Sequence, residues 1–302
     1  MFHRRRIAFS SVVVGALVAA GLLVGPAAPA VAAQHHRATA ATQTCGSPHP
    51  LVRSTFPTHV NVTNKFFPLV PGTRFVLSGS VAGSGHTVVT TVTDLTKVID
   101  GVQTVVILDE DFDGGQLAEA ELAFFAQDRR GTVWGLGEYP EEYDNGVFAG
   151  APSTWIAGLA GAHAGFAMLA DPDVGTAAYL QGKALKVGFE DCAQVFAAGQ
   201  RSCEPTGCYD NVLVTDEWGP LDPAGGHQRK FYAPGVGLVR VGAVGGTDPE
   251  VLHLSSYTHL CSAALTVVRD KALKLDRHGY QVSPTVYGRT AHARQTLHAP
   301  AC

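Results

Sequence analysis

Short runs in which apolar and polar residues alternate recur from Arg74 onward, each bounded by Gly, Asp or Asn. In an extended chain successive side chains point to opposite faces, so such alternation marks strands with one buried face. RFVLSGSV, HTVVTTVT, VQTVVILDE, AELAFFAQ, TVWGLGE, NVLVTDEW, RKFYAP, GLVRVGAV and VLHLSSYT all have this form. Gly-Ser-Gly at 83–85, Asp-Gly at 100–101 and Asp-Arg-Arg-Gly at 128–131 fall between neighbouring runs, where hairpin turns favour glycine. The pattern predicts a mainly β fold over residues 60–258, a curved antiparallel sheet or half-barrel built as a meander.

Two segments break the alternation. GFEDCAQVFAA (188–198) fits three helical turns, and CSAALTVVRDKALKLD (261–276) places Leu265, Val268, Ala272 and Leu275 along one side, as a C-terminal amphipathic helix would. Residues 150–182 are apolar, rich in Gly, Ala and Pro, and without period. We read them as a packed excursion over a cavity mouth or sheet edge, because long irregular segments in compact domains usually serve function.

The N-terminus has three arginines, a long apolar run, a Gly-Pro break and small residues ending near Ala32 or Ala33. That is the layout of a cleaved export signal over residues 1–33. The run from Ile7 to Gly25 approaches the length that spans a bilayer, so an uncleaved anchor is the competing reading. Residues 34–59 lack periodicity and read as a flexible linker, and residues 259–302 read as the helix with a disulfide-tethered tail. A secreted, extracellular protein is expected, with no membrane span once the signal is removed.

The chain carries 22 basic and 26 acidic residues; the three arginines of residues 1–33 leave with the signal, giving 19 against 26. An acidic mature chain disfavours nucleic acid and anionic membrane surfaces as partners. All six cysteines, Cys45, Cys192, Cys203, Cys208, Cys261 and Cys302, lie beyond the signal and read as three disulfides. Six cysteines allow fifteen pairings; a Cys203–Cys208 loop and a Cys261–Cys302 tether are the pairs we expect. The thirteen histidines are scattered and form no metal-binding motif, and no G-x-S-x-G elbow is present.

Candidate chemistry gathers in one hairpin. If Arg129 and Arg130 form a two-residue loop, Phe125 faces Trp134, Ala123 faces Leu136 and Glu121 faces Glu138, all on one side. Like charges directly opposite are destabilising unless a cation, a shared proton or solvent relieves them. Two glutamates at the open end of a hairpin in water explain the letters without function. Alternatively, Glu121 and Glu138 line a partly enclosed cavity beside Phe125 and Trp134, with one carboxyl pKa raised by its neighbour. Just upstream, DEDFDGG gives Asp109, Asp111 and Asp113 before Gly114, the opening of a calcium loop, with Glu119 as a fourth oxygen donor. Position twelve of that pattern is Ala120, and a strand running into an acidic turn explains the same residues. Calcium is the one cofactor these residues suggest.

NKFFPLVPGTRFVLSG (64–79) and RKFYAPGVGLVRVGAV (229–244) resemble the opening and closing strands of the TapB-like family of exported β-rich proteins. AQDRRGTVWGLGE, TWIAGLAGAHAGFAM and DPDVGTAAYLQ resemble blocks of a group of secreted actinobacterial proteins without assigned activity. The resemblance, over roughly residues 64–256, implies a curved antiparallel sheet wrapped toward a half-barrel and supplies no catalytic residues. The chain departs from that group's pattern at Gly182, and at His227 and Gln228, where the group carries glutamate.

Two functional classes follow. One is a non-enzymatic exported module that holds a small apolar or mixed ligand, or docks an envelope component, with Phe125, Trp134 and Trp155 as ligand contacts. The other is a carboxylate-dependent hydrolase using Glu121 and Glu138.

Overall fold

The computed structural model describes residues 44–298; the expected signal peptide and Cys302 lie outside them. A small hairpin, β1 (Val62–Asn64) and β2 (Phe67–Leu69), precedes a run of long strands: β3 (Thr73–Val81), β4 (Ser84–Ile99), β5 (Val102–Asp113), β6 (Gln116–Gln127) and β7 (Val133–Asp144). Short strands β8 (Val147–Gly150) and β9 (Trp155–Ile156) follow. The second half comprises β10 (His163–Met168), β11 (Tyr179–Ala184), β12 (Phe189–Glu204), β13 (Gly207–Trp218), β14 (His227–Ala233), β15 (Gly237–Val244) and β16 (Glu250–His259). Helix α1 (Ser262–Val282) and a last short strand, β17 (Arg294–Gln295), complete the described chain.

Each half is a meander, and two long-range pairings join the halves. Gly165 and Phe166 of β10 lie beside Gly135 and Trp134 of β7, while β16 runs along β3 from Glu250 opposite Val81 to His259 opposite Thr73. The result is a closed barrel of twelve antiparallel strands, more specific than the open or half-closed sheet expected from the sequence. Closure satisfies the strand edges an open sheet would expose. Barrel diameter grows with strand number, and eight strands already give an interior that side chains can fill, so twelve enclose more space.

The segment expected to form a first helix, residues 188–198, enters β12 at Phe189 and is paired with β11 and β13. Its outward Cys192 is buried in a disulfide with Cys45, against Leu180 and Trp218. Burial on both faces erases the period-two signal there. The same disulfide fastens residue 45 to the barrel, and Phe56 packs edge-on to Trp134, so the described part of residues 34–59 lies against the wall. The Cys203–Cys208 disulfide closes the tip of the β12–β13 hairpin, as expected. Cys261 is also disulfide-bonded.

Helix α1 continues six residues past its expected end and covers the outer face of the first meander, burying Leu265, Ala272, Leu275 and Gly279. Gly279 is required by close approach, since a Cβ there would sit 2.6 Å from the Tyr287 ring, which itself packs on Tyr139. Beneath the helix Lys97 is buried, donating to Asp276 Oδ1 and to the Ala291 carbonyl, each at 2.7 Å. This outer layer identifies the opposite face of β4 to β7 as the barrel interior.

Candidate functional site

Strand register decides which side chains share the interior. Asp109 of β5 stands directly opposite Glu121 of β6, and Asp111 stands opposite Glu119. Across the next pair, Ala123 faces Glu138 and Glu121 faces Pro140. Glu121 and Glu138 therefore share a face as diagonal neighbours and are not directly opposed. The expected two-residue loop is a larger turn: Asp128 accepts hydrogen bonds from the backbone N–H groups of Arg130 and Thr132, and its own N–H donates to the Thr132 carbonyl. A side chain that mimics a backbone turn in this way shifts the pairing, and a bulge at Leu136 shifts it again.

The altered register separates two of the expected ligand contacts. Phe125 points inward, where Phe67 of the β1–β2 hairpin bridges it, at 5.3 Å between ring centroids, to Tyr232 on the facing wall, at 6.4 Å. Trp134 pairs with Ala126 on the other face, packs against Phe166, and donates from Nε1 to Asp128. Trp155 joins the glutamates: β9 pairs with β7 at Glu138, and the indole Nε1 donates to Glu138 Oε2 at 2.9 Å. Its ring stacks on Phe189 at 5.0 Å. Gly182 makes room for both, because a Cβ there would lie 2.7 Å from Phe189 and 3.1 Å from Trp155.

The facing wall adds residues that sequence reasoning did not select. Lys230 of β14 pairs with Glu217 of β13 at 2.8 Å, and the same carboxylate accepts from Thr215 and Tyr232. Burial alone would raise the Glu217 pKa, but Lys230 and these donors hold it below the usual range. Burial would likewise depress Lys230, yet Glu217 keeps it above its ordinary value. The pair is thus a fully formed ion pair. Tyr179 of β11 lies close enough to feel Glu217, is itself buried, and its hydroxyl has no hydrogen-bond partner among the described residues.

The Asp109, Glu121 and Glu138 carboxyls behave differently. Burial, with a smaller contribution from neighbouring carboxylates, pushes Asp109 up to about 7. Burial, followed by Glu138, Glu119 and Asp109, pushes Glu121 well above its ordinary range. Burial also raises Glu138 to about 7, partly opposed by the Trp155 hydrogen bond. Among the described residues Asp109 Oδ1 and Glu121 Oε1 have no hydrogen-bond partner, and both are buried. At the end beyond them His86 meets Asp113 at 2.9 Å and Glu250 at 3.3 Å, with Asp111 3.9 Å away.

The four residues suggested for calcium are spread along two strands. Asp113 ends β5, and Gly114 and Gly115 turn the chain into β6. Alternate residues of a strand lie about 6.6 Å apart, so Asp109, Asp111 and Asp113 form a row, with Glu119 opposite Asp111. Among the described residues no group of three His, Cys, Asp or Glu side chains is placed to hold a metal ion.

The missed residues left traces in the sequence. Thr215 and Glu217, like Lys230 and Tyr232, alternate with apolar or outward neighbours in runs already read as strands. Only the barrel's closure brings those strands to face β5, β6 and β7.

No family model matches the chain, and no curated protein matches it. The fold is similar to the crystal structure of a protein from Bacteroides fragilis described as exported and of YMCC-like fold, with a TM-score of 0.38 and 15% identity over 65% of this chain and 99% of that one. The resemblance to TapB-like and actinobacterial proteins gains no support from these comparisons.

Proposed function

We propose that the protein is an exported, non-enzymatic barrel that holds a small ligand of mixed polar and apolar character in its interior. The observation that carries this reading is that, of the buried polar side-chain atoms left without hydrogen-bond partners among the described residues, Asp109 Oδ1, Glu121 Oε1 and the Tyr179 hydroxyl belong to the barrel interior. Each unsatisfied buried group costs a fold about 1–3 kcal/mol. Native interiors rarely carry such groups unless water, an ion or a ligand completes them. The aromatic layer of Phe67, Phe125 and Tyr232 supplies an apolar floor. Export is supported by the Cys45–Cys192 and Cys203–Cys208 disulfides, which persist in oxidising compartments. Among the described residues no helix is long and apolar enough to cross a membrane.

Glu121 and Glu138 offer less to a carboxylate-dependent hydrolase. That chemistry needs one carboxyl protonated and its partner ionised, with pKa values driven apart by unlike surroundings. Here burial drives both upward. Among the described residues Glu138 has a neutral donor, the Trp155 indole, and Glu121 Oε1 has none.

Non-denaturing mass spectrometry of protein recovered from the culture medium tests the reading. A stoichiometric added mass is expected, lost from a Glu121→Gln/Tyr179→Phe variant. Protein that carries no added mass, and whose unfolding temperature ignores cationic, neutral and anionic organic solutes alike, would contradict it.

A further inference from the structure

Resting on that reading of the interior, the geometry points to the charge of the ligand: an organic cation, an ammonium or amidinium group joined to an apolar body, with Asp109, Glu121 and Glu138 as its counter-charge. The balance of charge inside the barrel is the first ground. Among the described residues the interior lysine is already engaged, Lys230 by Glu217 at 2.8 Å, and the His86 ring lies against Asp113 and Glu250. Among the described residues, Asp109, Glu121 and Glu138 make no ion pair with a basic side chain.

The second ground is convergence. Three adjacent strands deliver these carboxyls to one patch, Asp109 directly opposite Glu121 and Glu138 diagonal to it. Cross-strand like charges repel when nothing lies between them, whereas a cation on the patch turns the repulsion into attraction for all three. The cross-strand neighbour of Glu138 on β6 is the small Ala123. On the wall that carries Glu217, the buried Tyr179 hydroxyl, without a hydrogen-bond partner among the described residues, offers a further oxygen acceptor to an N–H donor.

The third ground is the surroundings. The Trp155 ring, fixed to Glu138 by its indole N–H, can place an aromatic face beside an ammonium. Phe125 lies four residues along β6 from Glu121, on the same face, roughly 13 Å away at the usual rise per residue. An apolar body of about that length would reach from the carboxyls to the Phe67 layer. An inorganic divalent ion fits less well, because no three ligating side chains among the described residues are arranged around one point.

Isothermal titration at pH 8 with 4-phenylbutylammonium, 4-phenylbutanol and 4-phenylbutyrate separates charge from shape, since the three share one apolar body. The ammonium is expected to bind, and the alcohol and carboxylate at least tenfold more weakly. Asp109→Asn and Glu121→Gln should each weaken the ammonium at least tenfold, whereas Tyr179→Phe should weaken it while keeping the preference for cation. Equal or better binding of the alcohol or carboxylate overturns the cation assignment and leaves the interior as a ligand site. Binding by none of the three, or stabilisation by calcium chloride in place of the ammonium, overturns the assignment as well. Undiminished ammonium binding by the folded Asp109→Asn/Glu121→Gln variant would place the site elsewhere.

Discussion

Asp109 and Glu121 face one another directly across β5 and β6, both buried, with Glu138 one diagonal step away on β7. Two acids at this spacing strain a sheet, and the strain is greatest when both are ionised. The facing wall shows that the fold can neutralise a buried carboxylate when it holds a lysine to do so, as Glu217 and Lys230 demonstrate. Among the described residues no lysine forms such a pair with the β5–β6–β7 patch.

The first prediction concerns the sign of a pH dependence. Asp109 is raised from the ordinary range to about 7, so the folded state keeps a proton that the unfolded chain releases above about pH 4. The resulting stabilisation is complete below the unfolded value and is lost as pH rises through the folded one. Asp109→Asn removes the titration. The variant is expected to match wild type near pH 4 and to exceed it by on the order of 2 kcal/mol at pH 8, read from urea midpoints. The same offset at both pH values would assign the effect to the Thr90 hydrogen bond and not to charge.

On the opposite wall the expected sign reverses. Lys230→Met leaves the Glu217 carboxylate buried without its cation, and breaking one partner of such a pair costs about 3–5 kcal/mol. Adding Glu217→Gln should restore most of the loss. Denaturant midpoints for the two single variants and the double variant give the coupling; simple additivity would mean that the pair is not formed in solution.

The Cys45–Cys192 disulfide ties residues 147 positions apart and anchors the chain beside Trp218. Closing so long a loop restricts the unfolded chain strongly, so Cys45→Ala is expected to cost about 3–5 kcal/mol. Cys203–Cys208 spans five positions at a hairpin tip, and its removal should cost less. Thermal unfolding of the two variants checks the order.

The strands of the two meanders were legible because most have one apolar face, and apolar–polar alternation records that directly. The first helix was misread because Cys192 is buried on the outer face while the polar Asp191 is buried on the inner one, which inverts the apolar-in, polar-out alternation at that point of β12. Closure was not legible, since the β7–β10 and β3–β16 pairings join segments with no local signal for one another. Glu121 and Glu138 were correctly placed on one face, but the direct partner of Glu121 is Asp109. The Asp128 turn and the Leu136 bulge set that register, and neither follows from counting residues across a two-residue loop. Lys230, Glu217 and Tyr179 enter the site from the other half of the chain, so the site becomes visible only once the barrel is closed.

Carboxyl carbon-13 resonances of Asp109, Glu121 and Glu138, followed from pH 3 to 9 in the ligand-free protein, test the account most directly. Asp109 and Glu138 are expected to titrate near 7 and Glu121 well above the ordinary glutamate range, with their steps coupled. Saturating 4-phenylbutylammonium should lower all three midpoints, because a bound cation favours the ionised forms. Midpoints near 4 in the free protein, unchanged by the amine, would mean that the carboxyls sit in water, and would contradict an enclosed site awaiting a cation.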